Sequence, residues 1–386
     1  MRAVLVLFEG LPATVIDSQV LAHVRLVREA LGIDLSVIAV ACSRALFESS
    51  QARLAQAEEV AGSRIRLLRG LRPAMPGSLV VNRLLLGRAL ARMGSISLVH
   101  ARTDYAAAVV APWGRRRKVP VLWDCRGDAG AELRERLGSW AGAALRYRAQ
   151  LLEHELQIAG GNCNGALFVT QQLRDVMACY MAGQPSWVIP CLAPETEFFF
   201  EPGLRARVRA ELGIAPDEAV YIYSGSLVAY QRFDETVATF RAVLASGQRA
   251  RLIVLTPEAE RARQVCADLP ASSVICRSVK HAEVNDYLNA ADFGMLLRDT
   301  TPVNAVAFPT KFAEYAMTGL TILMKEAPPA CVAIARELGN YLSPGSLAAP
   351  AVEPERRRFA VQAGQRLGRS AAMPTYAGIY ESLASR

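Results

Sequence analysis

The sequence predicts an α/β protein built as two similar halves with parallel sheets, and three observations carry that prediction. Short apolar, β-branched runs alternate with longer helical stretches from end to end, the signature of parallel strands covered by helices. The length, 386 residues, exceeds what one hydrophobic core usually fills. The alternation breaks once, at Ile189-Pro190-Cys191-Leu192-Ala193-Pro194-Glu195-Thr196-Glu197, where two prolines interrupt periodicity and suit a hinge between domains.

Before the break, strands are predicted near residues 2–8, 34–40, 64–68, 97–101, 119–123, 165–169 and 186–189. Helices fill the gaps. The longest is predicted from about Ala131 to Ala159, where Leu133, Leu137, Trp140, Ala144, Leu151, Leu152 and Leu156 are spaced for one apolar face. After the break, strands are predicted near 219–223, 251–255, 273–276, 292–297, 321–324 and 341–343, so that two Rossmann-like halves result. The last stretch, Tyr376 to Leu383, is amphipathic and suits docking on either half.

Composition narrows the class. An apolar fraction of 52% and a mean hydropathy of +0.18 mark a globular chain with a generous core. No run of about 18 uncharged apolar residues occurs, and the opening strand pattern stops at Glu9-Gly10, too short for the apolar segment of a signal peptide. A cytoplasmic protein is the expectation. Cys42, Cys125, Cys163, Cys179, Cys191, Cys266, Cys276 and Cys331 include no CxxC pair, and His23, His100, His154 and His281 form no metal-ligand pattern, so reduced core thiols and no zinc site are expected.

The net charge of +8 is unevenly placed, with 23 Lys and Arg against 16 Asp and Glu in residues 1–195, and 21 against 20 in the remainder. Basic clusters lie at Arg64, Arg66, Arg69 and Arg72, at Arg83, Arg88 and Arg92, and at Arg115-Arg116-Arg117-Lys118. Such a half suits nucleic acid, an anionic membrane surface or a phosphorylated substrate. The basic residues are not interleaved with aromatics, which argues against nucleic acid. A plainer cause is genome composition, since 40 of the 44 basic residues are Arg.

In open α/β sheets ligands bind beyond the carboxyl ends of the strands, so the residues that follow each strand carry most of the chemical information. Neither GxGxxG followed by an acidic residue nor GxxxxGK[ST] is present, which removes the dinucleotide and P-loop readings. Five segments remain. Glu9-Gly10-Leu11-Pro12 follows the first strand, with Asp17, Ser18 and Gln19 near the start of the next helix. His100-Ala101-Arg102-Thr103-Asp104-Tyr105 follows the fourth, and Trp123-Asp124-Cys125-Arg126-Gly127-Asp128 the fifth. In the rear half come Tyr223-Ser224-Gly225-Ser226-Leu227-Val228-Ala229-Tyr230-Gln231-Arg232, and then Phe308-Pro309-Thr310-Lys311-Phe312-Ala313-Glu314-Tyr315-Ala316-Met317-Thr318-Gly319.

The last of these reads as a helix opening aimed at an anion. Pro309 suits the first helical position, where its missing N–H costs nothing, and the free N–H groups after it point where a phosphate can sit. Lys311 adds positive charge, and Glu314, about one turn on, is placed to accept hydrogen bonds from neighbouring hydroxyls such as those of a ribose. The same residues also fit an ordinary Pro-started helix with solvated charges. Arg126 could bind a phosphate or stabilise a leaving group, or pair with Asp124 to tie a strand end to a helix. Ser224-Gly225-Ser226 could cradle phosphate, although Gly-Ser turns are common. His100 alone reads as a core residue as readily as a catalyst, and Tyr230-Gln231-Arg232 as a loop with a solvated Arg.

Taken together these segments resemble glycosyltransferase family 4. The rear half carries Tyr223-Ser224-Gly225-Ser226-Leu227, Asp292-Phe293-Gly294 and Phe308 to Tyr315 with Gly319, similar to the PTK-x-x-EY-x-x-x-G form of many bacterial members. In the front half, His100-Ala101-Arg102 and Asp124-Cys125-Arg126-Gly127 resemble the HAR and DxRG pieces of a subgroup that builds surface polysaccharides, and Val188-Ile189-Pro190 resembles the interdomain VIP segment. The resemblance covers essentially the whole chain. It departs at Val306, which stands eight residues before Glu314 where the family has a second carboxylate, and at Arg126, where many members have His. It also departs at Ser226 and Gln231, where Arg and Lys are frequent, leaving Arg232 and Lys311 to neutralise a diphosphate, and at Gly10, where the family has Gly-Gly.

The resemblance implies the GT-B fold, two Rossmann-like domains with parallel sheets facing a central cleft. Residues 1–192 would bind acceptor, with helix 370–386 packing back on them, and residues 193–369 would bind the nucleotide sugar. It implies a retaining, metal-independent hexosyltransferase of bacterial polysaccharide or glycolipid assembly, acting on a glycan or lipid-linked acceptor, with no cofactor and no nucleic acid partner. Such an enzyme is cytoplasmic and can be peripheral on the inner, anionic membrane face. Catalytic roles fall to Arg126, Asp124 and Arg102. Donor binding falls to Gly10, Ser224, Gly225, Ser226, Gln231, Arg232, Ser278, Val279, Pro309, Thr310, Lys311 and Glu314, and acceptor binding to Ser18, Gln19, His100 and Asp128. Two other classes remain: a catalytically silent GT-B subunit that binds a partner, suggested by Val306 and Arg126, and a sugar-nucleotide epimerase, for which no Asp/Glu/His set is visible.

Overall fold

Runs such as Val4-Leu5-Val6-Leu7 and Val220-Tyr221-Ile222-Tyr223 are apolar without alternation, as strands covered on both faces must be, and each lies inside a parallel sheet. The computed structural model describes residues 1–11, 16–137, 142–346 and 348–385. The chain forms two compact units, Met1–Pro190 with Ala372–Arg386, and Cys191–Ala371.

The first unit holds a seven-stranded sheet of β1 (Arg2–Leu7), β2 (Asp34–Ala41), β3 (Ile65–Arg69), β4 (Leu98–Arg102), β5 (Val121–Cys125), β6 (Gly165–Phe168) and β7 (Ser186–Val188), in the order β3-β2-β1-β4-β5-β6-β7. The second holds a six-stranded sheet of β8 (Ala219–Ser224), β9 (Ala250–Leu255), β10 (Val274–Arg277), β11 (Phe293–Leu296), β12 (Thr321–Met324) and β13 (Tyr341–Leu342), in the order β10-β9-β8-β11-β12-β13. Every pairing described is parallel. All the strands predicted from the sequence are present, with limits displaced by no more than two residues.

One helix differs. The single helix expected from Ala131 to Ala159 is two, Ala129–Leu137 and Ala143–Asn162. Gly142 is extended, with ψ 179°, so the second helix cannot run back through it; glycine carries the largest entropic cost in a helix interior. Trp140, one of the apolar positions that suggested continuity, lies outside the described residues.

In the second unit the helix Thr310–Met317 lays Tyr315 against Gly294 of β11. A Cβ at Gly294 would lie 2.4 Å from the Tyr315 ring. The Tyr315 hydroxyl accepts the Ser224 N–H at 2.8 Å, fixing the helix to the end of β8 as well. The helix ends at Gly319, whose φ of 69° favours glycine and whose Cβ would meet the Arg356 carbonyl at 2.2 Å. Arg356 is buried, and donates to the Thr318, Ala291 and Leu288 carbonyls at 3.0, 2.6 and 2.9 Å, helping to satisfy the ends of two helices. Burial lowers its pKa to about 9.

In the first unit the helix Asp104–Arg117 packs beneath the sheet, and its first residue accepts the Trp123 indole N–H at 3.0 Å. Burial raises the Asp104 pKa to about 6, against the hydrogen bonds from Cys125 and Trp123.

Two outcomes follow from this packing. Gly294→Ala should destabilise the protein by about 1–3 kcal/mol in denaturant unfolding, because Tyr315 has no free space into which to shift; an unchanged midpoint would contradict the close packing. Asp104 holds its proton in the native state up to about pH 6, whereas the unfolded carboxyl releases it near 3.8. Native stability therefore falls by roughly 3 kcal/mol as pH rises through that window. Asp104→Asn lacks that loss, so its melting temperature relative to wild type should rise between pH 4 and pH 7 by about 4–8 °C or less, given the chain's size; a constant difference would refute the assignment.

Candidate functional site

Each sheet reverses its strand order once, between β1 and β4 in the first unit and between β8 and β11 in the second. The crevice outside the carboxyl ends at such a reversal is where open α/β sheets hold ligands.

In the second unit, β8 ends at Ser224 and the chain turns at Gly225, with a φ of 135°. A Cβ on Gly225 would lie 3.8 Å from Lys311 Nζ, so turn and lysine are adjacent. Pro309 is not the first helical residue, as the sequence suggests, but the cap: its ψ of 135° is extended, and the chain becomes helical at Thr310, where the Phe312 N–H closes on the Pro309 carbonyl at 3.0 Å. The amides of Thr310 and Lys311 meet no acceptor among the described residues.

Lys311 is buried, with Nζ 4.3 Å above the Tyr223 ring, and among the described residues no carboxylate lies within ion-pair distance of it. Burial pushes its pKa well below the ordinary lysine value, and Arg298 pushes the same way against the pull of Glu314. Arg298 follows β11 by two residues and is also buried. It donates to Asn304 Oδ1 and Gln231 Oε1, each at 3.2 Å, and lies 5.3 Å from the Tyr230 ring centre, while among the described residues its Nε has no hydrogen-bond partner. Burial lowers its pKa too. Two desolvated cations beside two open amides are complementary to a polyvalent oxyanion. The sequence reading passed over Arg298, although the rule that singled out residues after other strands points to it as well.

Of the other rear-half candidates, Gln231 orients Arg298. Arg232 has a φ of 51° and pairs with Asp299 at 3.0 Å, Glu235 at 3.5 Å and Asp234 at 3.7 Å, so its charge is already neutralised. Glu314 lies one turn beyond Lys311, with its pKa raised by burial against the pull of His281 and Lys311, Glu197 adding to the rise. Ser226 accepts the Tyr223 hydroxyl at 2.6 Å through its carbonyl. Ser278 and Val279 follow β10, the edge strand two places from the reversal. Val306 is buried at the end of the helix Pro302–Val306.

In the first unit, Arg102 at the end of β4 donates from Nε to Glu9 Oε2 at 2.9 Å, bridging the reversal between β4 and β1. Asp124, at the end of β5, is buried among Arg126 Nη1 at 3.4 Å, His100 Nε2 at 3.5 Å and Arg102 Nη1 at 3.8 Å. Burial alone would raise its pKa, but Arg126, His100 and Arg102 together hold it well below the usual carboxylate range. Arg126 also donates to Gln19 Oε1 at 3.2 Å, and His100 Nδ1 shares a hydrogen bond of 2.7 Å with the Tyr380 hydroxyl. Thus Asp124, Arg126, Arg102, His100 and Gln19 form one cluster, with Ser18 buried on the turn that carries Gln19. Glu9 and Tyr380 join it without having been singled out as site residues.

Gly10 and Asp128 have structural duties. A Cβ on Gly10 would meet Ser50 Oγ at 2.8 Å and Leu46 Cγ at 2.9 Å, and Asp128 accepts the Ala131 N–H at 2.9 Å at the start of its helix. The eight cysteines are free thiols, and among the described residues no three His, Cys, Asp or Glu side chains are grouped to hold a metal ion.

No protein-family model matches the chain, and no curated protein matches it. Solved structures do. Sucrose-phosphate synthase from Thermosynechococcus elongatus superposes with a TM-score of 0.71 at 15% identity, over 100% of this chain and 99% of its own. Anabaena Alr3699/HepE in complex with UDP-glucose gives 0.69 at 16% identity, over 99% and 100%. A glycosyltransferase from Rickettsia africae ESF-5 gives 0.68 at 10% identity, over 99% and 98%. At such identities the likeness carries the architecture alone, and with two Rossmann-like parallel sheets that architecture is the GT-B fold.

Proposed function

We propose that the protein is a retaining hexosyltransferase that moves a sugar from a nucleotide-sugar donor to a glycan or lipid-linked saccharide. The observation that carries this reading is the buried Lys311–Arg298 pair beside the Gly225 turn and the open amides of Thr310 and Lys311. The UDP-glucose complex of a protein with the same fold supports a nucleotide sugar as the ligand.

Departure of a nucleoside diphosphate leaves negative charge on phosphate oxygen while the sugar becomes oxocarbenium-like. Lys311, Arg298 and the two amides are fixed where that charge develops, in a desolvated setting that strengthens their effect. Glu314 accepts hydrogen bonds from the ribose. The first unit takes the acceptor at the Asp124 cluster. Asp124 is too weakly basic there to remove a proton; it keeps Arg126, Arg102 and His100 in place, and the acceptor proton goes to the departing phosphate oxygen as the new bond forms on the same face. These cations do the work that a divalent metal would otherwise do. The setting is bacterial surface polysaccharide or glycolipid assembly, cytoplasmic and peripheral to the membrane.

A second reading, binding without turnover, is favoured by the buried Val306, which leaves Glu314 as the one carboxylate of its pair.

Calorimetry with nucleoside diphosphates should show binding that weakens by about tenfold or more in Lys311→Ala, Arg298→Ala and Glu314→Ala, while Arg232→Ala stays within about twofold. Because an anion restores the lysine's affinity for its proton, wild-type binding should take up protons from alkaline buffers and weaken as pH rises, and Lys311→Met should lose that uptake. Unchanged affinity in both Lys311→Ala and Arg298→Ala would remove the site. In a transfer assay Lys311→Ala should lower kcat by about 10²–10³; nucleotide binding with no transfer to any saccharide acceptor would establish the silent reading instead.

A further inference from the structure

The helix Ser78–Ala91 is apolar on the side it turns to solvent. Asn82, Leu86, Ala89 and Leu90 face inward, as a surface helix requires. The outward positions are apolar as well: Val80, Val81 and Leu84 are 60%, 46% and 57% exposed, with Met75 in the preceding loop at 46%. A soluble surface helix normally presents polar residues there.

Cations ring this patch. From residue 60 to residue 103 the chain has eight arginines and no Asp or Glu. Arg64, Arg69, Arg72, Arg88 and Arg92 are exposed, with no carboxylate partner among the described residues. Exposed arginines elsewhere are of both kinds: Arg25, Arg44 and Arg357 meet Glu29, Glu48 and Glu353, whereas Arg115, Arg116 and Arg117 meet no carboxylate among the described residues, so what sets this face apart is arginines placed beside exposed apolar side chains. The helix and β3 enclose a groove of about 560 Å³, lined by Val81, Leu84, Leu85, Arg66, Arg88 and Arg92. A second cleft of about 570 Å³ shares Arg66 and Arg92 and adds Arg2, Arg28 and Arg64. Its carboxylates are engaged, Asp34 by Arg2 and Arg28, and Glu58 by the Ile65 N–H at 2.8 Å.

We propose that this face docks on an anionic lipid bilayer, with Met75, Val80, Val81 and Leu84 entering the boundary between headgroups and acyl chains and the arginines meeting lipid phosphates. Arginine stems can lie along the apolar patch while their heads reach the phosphates. Uniform positive charge around an apolar centre matches a surface that is negative everywhere; a protein partner would have to bring acids to each of these scattered positions. Among the described residues no helix is long and apolar enough to cross a membrane, so attachment through this face is peripheral. The loop from β3 to the helix lies at the carboxyl edge of the sheet, the edge that carries Arg102 and Arg126, so docking holds that cluster near the bilayer. The proposal deepens the membrane-peripheral setting of the sugar-transfer reading by assigning its face, and it rests on that face alone, so a failure to float would leave nucleotide binding at Lys311 and Arg298 untouched.

Flotation of the full chain with vesicles tests it. The protein should float with phosphatidylglycerol-containing vesicles at low salt and about tenfold less with pure phosphatidylcholine or at high salt. The doubles Val81→Ser/Leu84→Ser and Arg88→Glu/Arg92→Glu should each lose about tenfold or more of that binding with unchanged thermal unfolding. No flotation of the wild type, or undiminished flotation of both doubles, would overturn the proposal. So would a dimer that the apolar double abolishes while flotation persists, since a second copy would then be the occupant.

Discussion

The contact of Tyr315 with Gly294 and Ser224 is the constraint on which the second unit's site rests. The ring fills the space left by a missing side chain on β11, and the hydroxyl takes the N–H at the end of β8. One residue thereby ties a helix to the two strands that flank the reversal of strand order. Lys311, one turn earlier on the same helix, is carried over Tyr223 and against Gly225 as a consequence. The far end is held just as firmly, because Gly319 admits the Arg356 backbone and Arg356 closes the helix's free carbonyl at Thr318. A lysine on a freely rotating surface helix would settle in water; this one has no such choice.

That rigidity carries an electrostatic cost. Lys311 and Arg298 are both desolvated, and Arg298 disfavours the charge on Lys311 against the pull of Glu314. An isolated buried charge is expensive, and the surrounding apolar cluster, with Tyr221, Phe240, Phe293 and Leu252, supplies the stability that tolerates it. The first unit's cluster is the opposite case. Asp124 and Glu9 balance Arg102 and Arg126 within a few ångströms, so the group needs no outside charge to be stable. On the proposed reading one cluster would receive an anion, whereas the other balances its own charges.

The architecture was legible because strands covered on both faces must be continuously apolar, as runs such as Val37 to Ala41 and Leu252 to Leu255 are. The error in the long helix lies at Gly142, where apolar spacing on either side masked a backbone preference. The site was legible where local geometry sufficed, as in Ser224-Gly225 and Thr310-Lys311. It was illegible where charge state depended on distant partners. Arg232 looks available in sequence, yet Asp299, sixty-seven residues on, neutralises it, while Arg298 beside that same Asp299 turns inward to Gln231 and Asn304. Gly10 is given to donor binding by the resemblance, and the structure sets Ser50 and Leu46 where its Cβ would stand. No spacing rule contains either fact.

Val306 bears on selectivity. It is buried at the end of the helix Pro302–Val306, so the change from a carboxylate is not a polar residue lost from a wet surface but an apolar residue built into the packing. A carboxylate at that depth would require donors to offset its desolvation. With valine there, recognition on the proposed reading would concentrate on the cations, the open amides and Glu314. Hydrogen-bonding sites reject analogues lacking a hydroxyl far more strongly than apolar ones reject an added one. On the proposed reading, a site built this way would discriminate its nucleotide more sharply than its sugar.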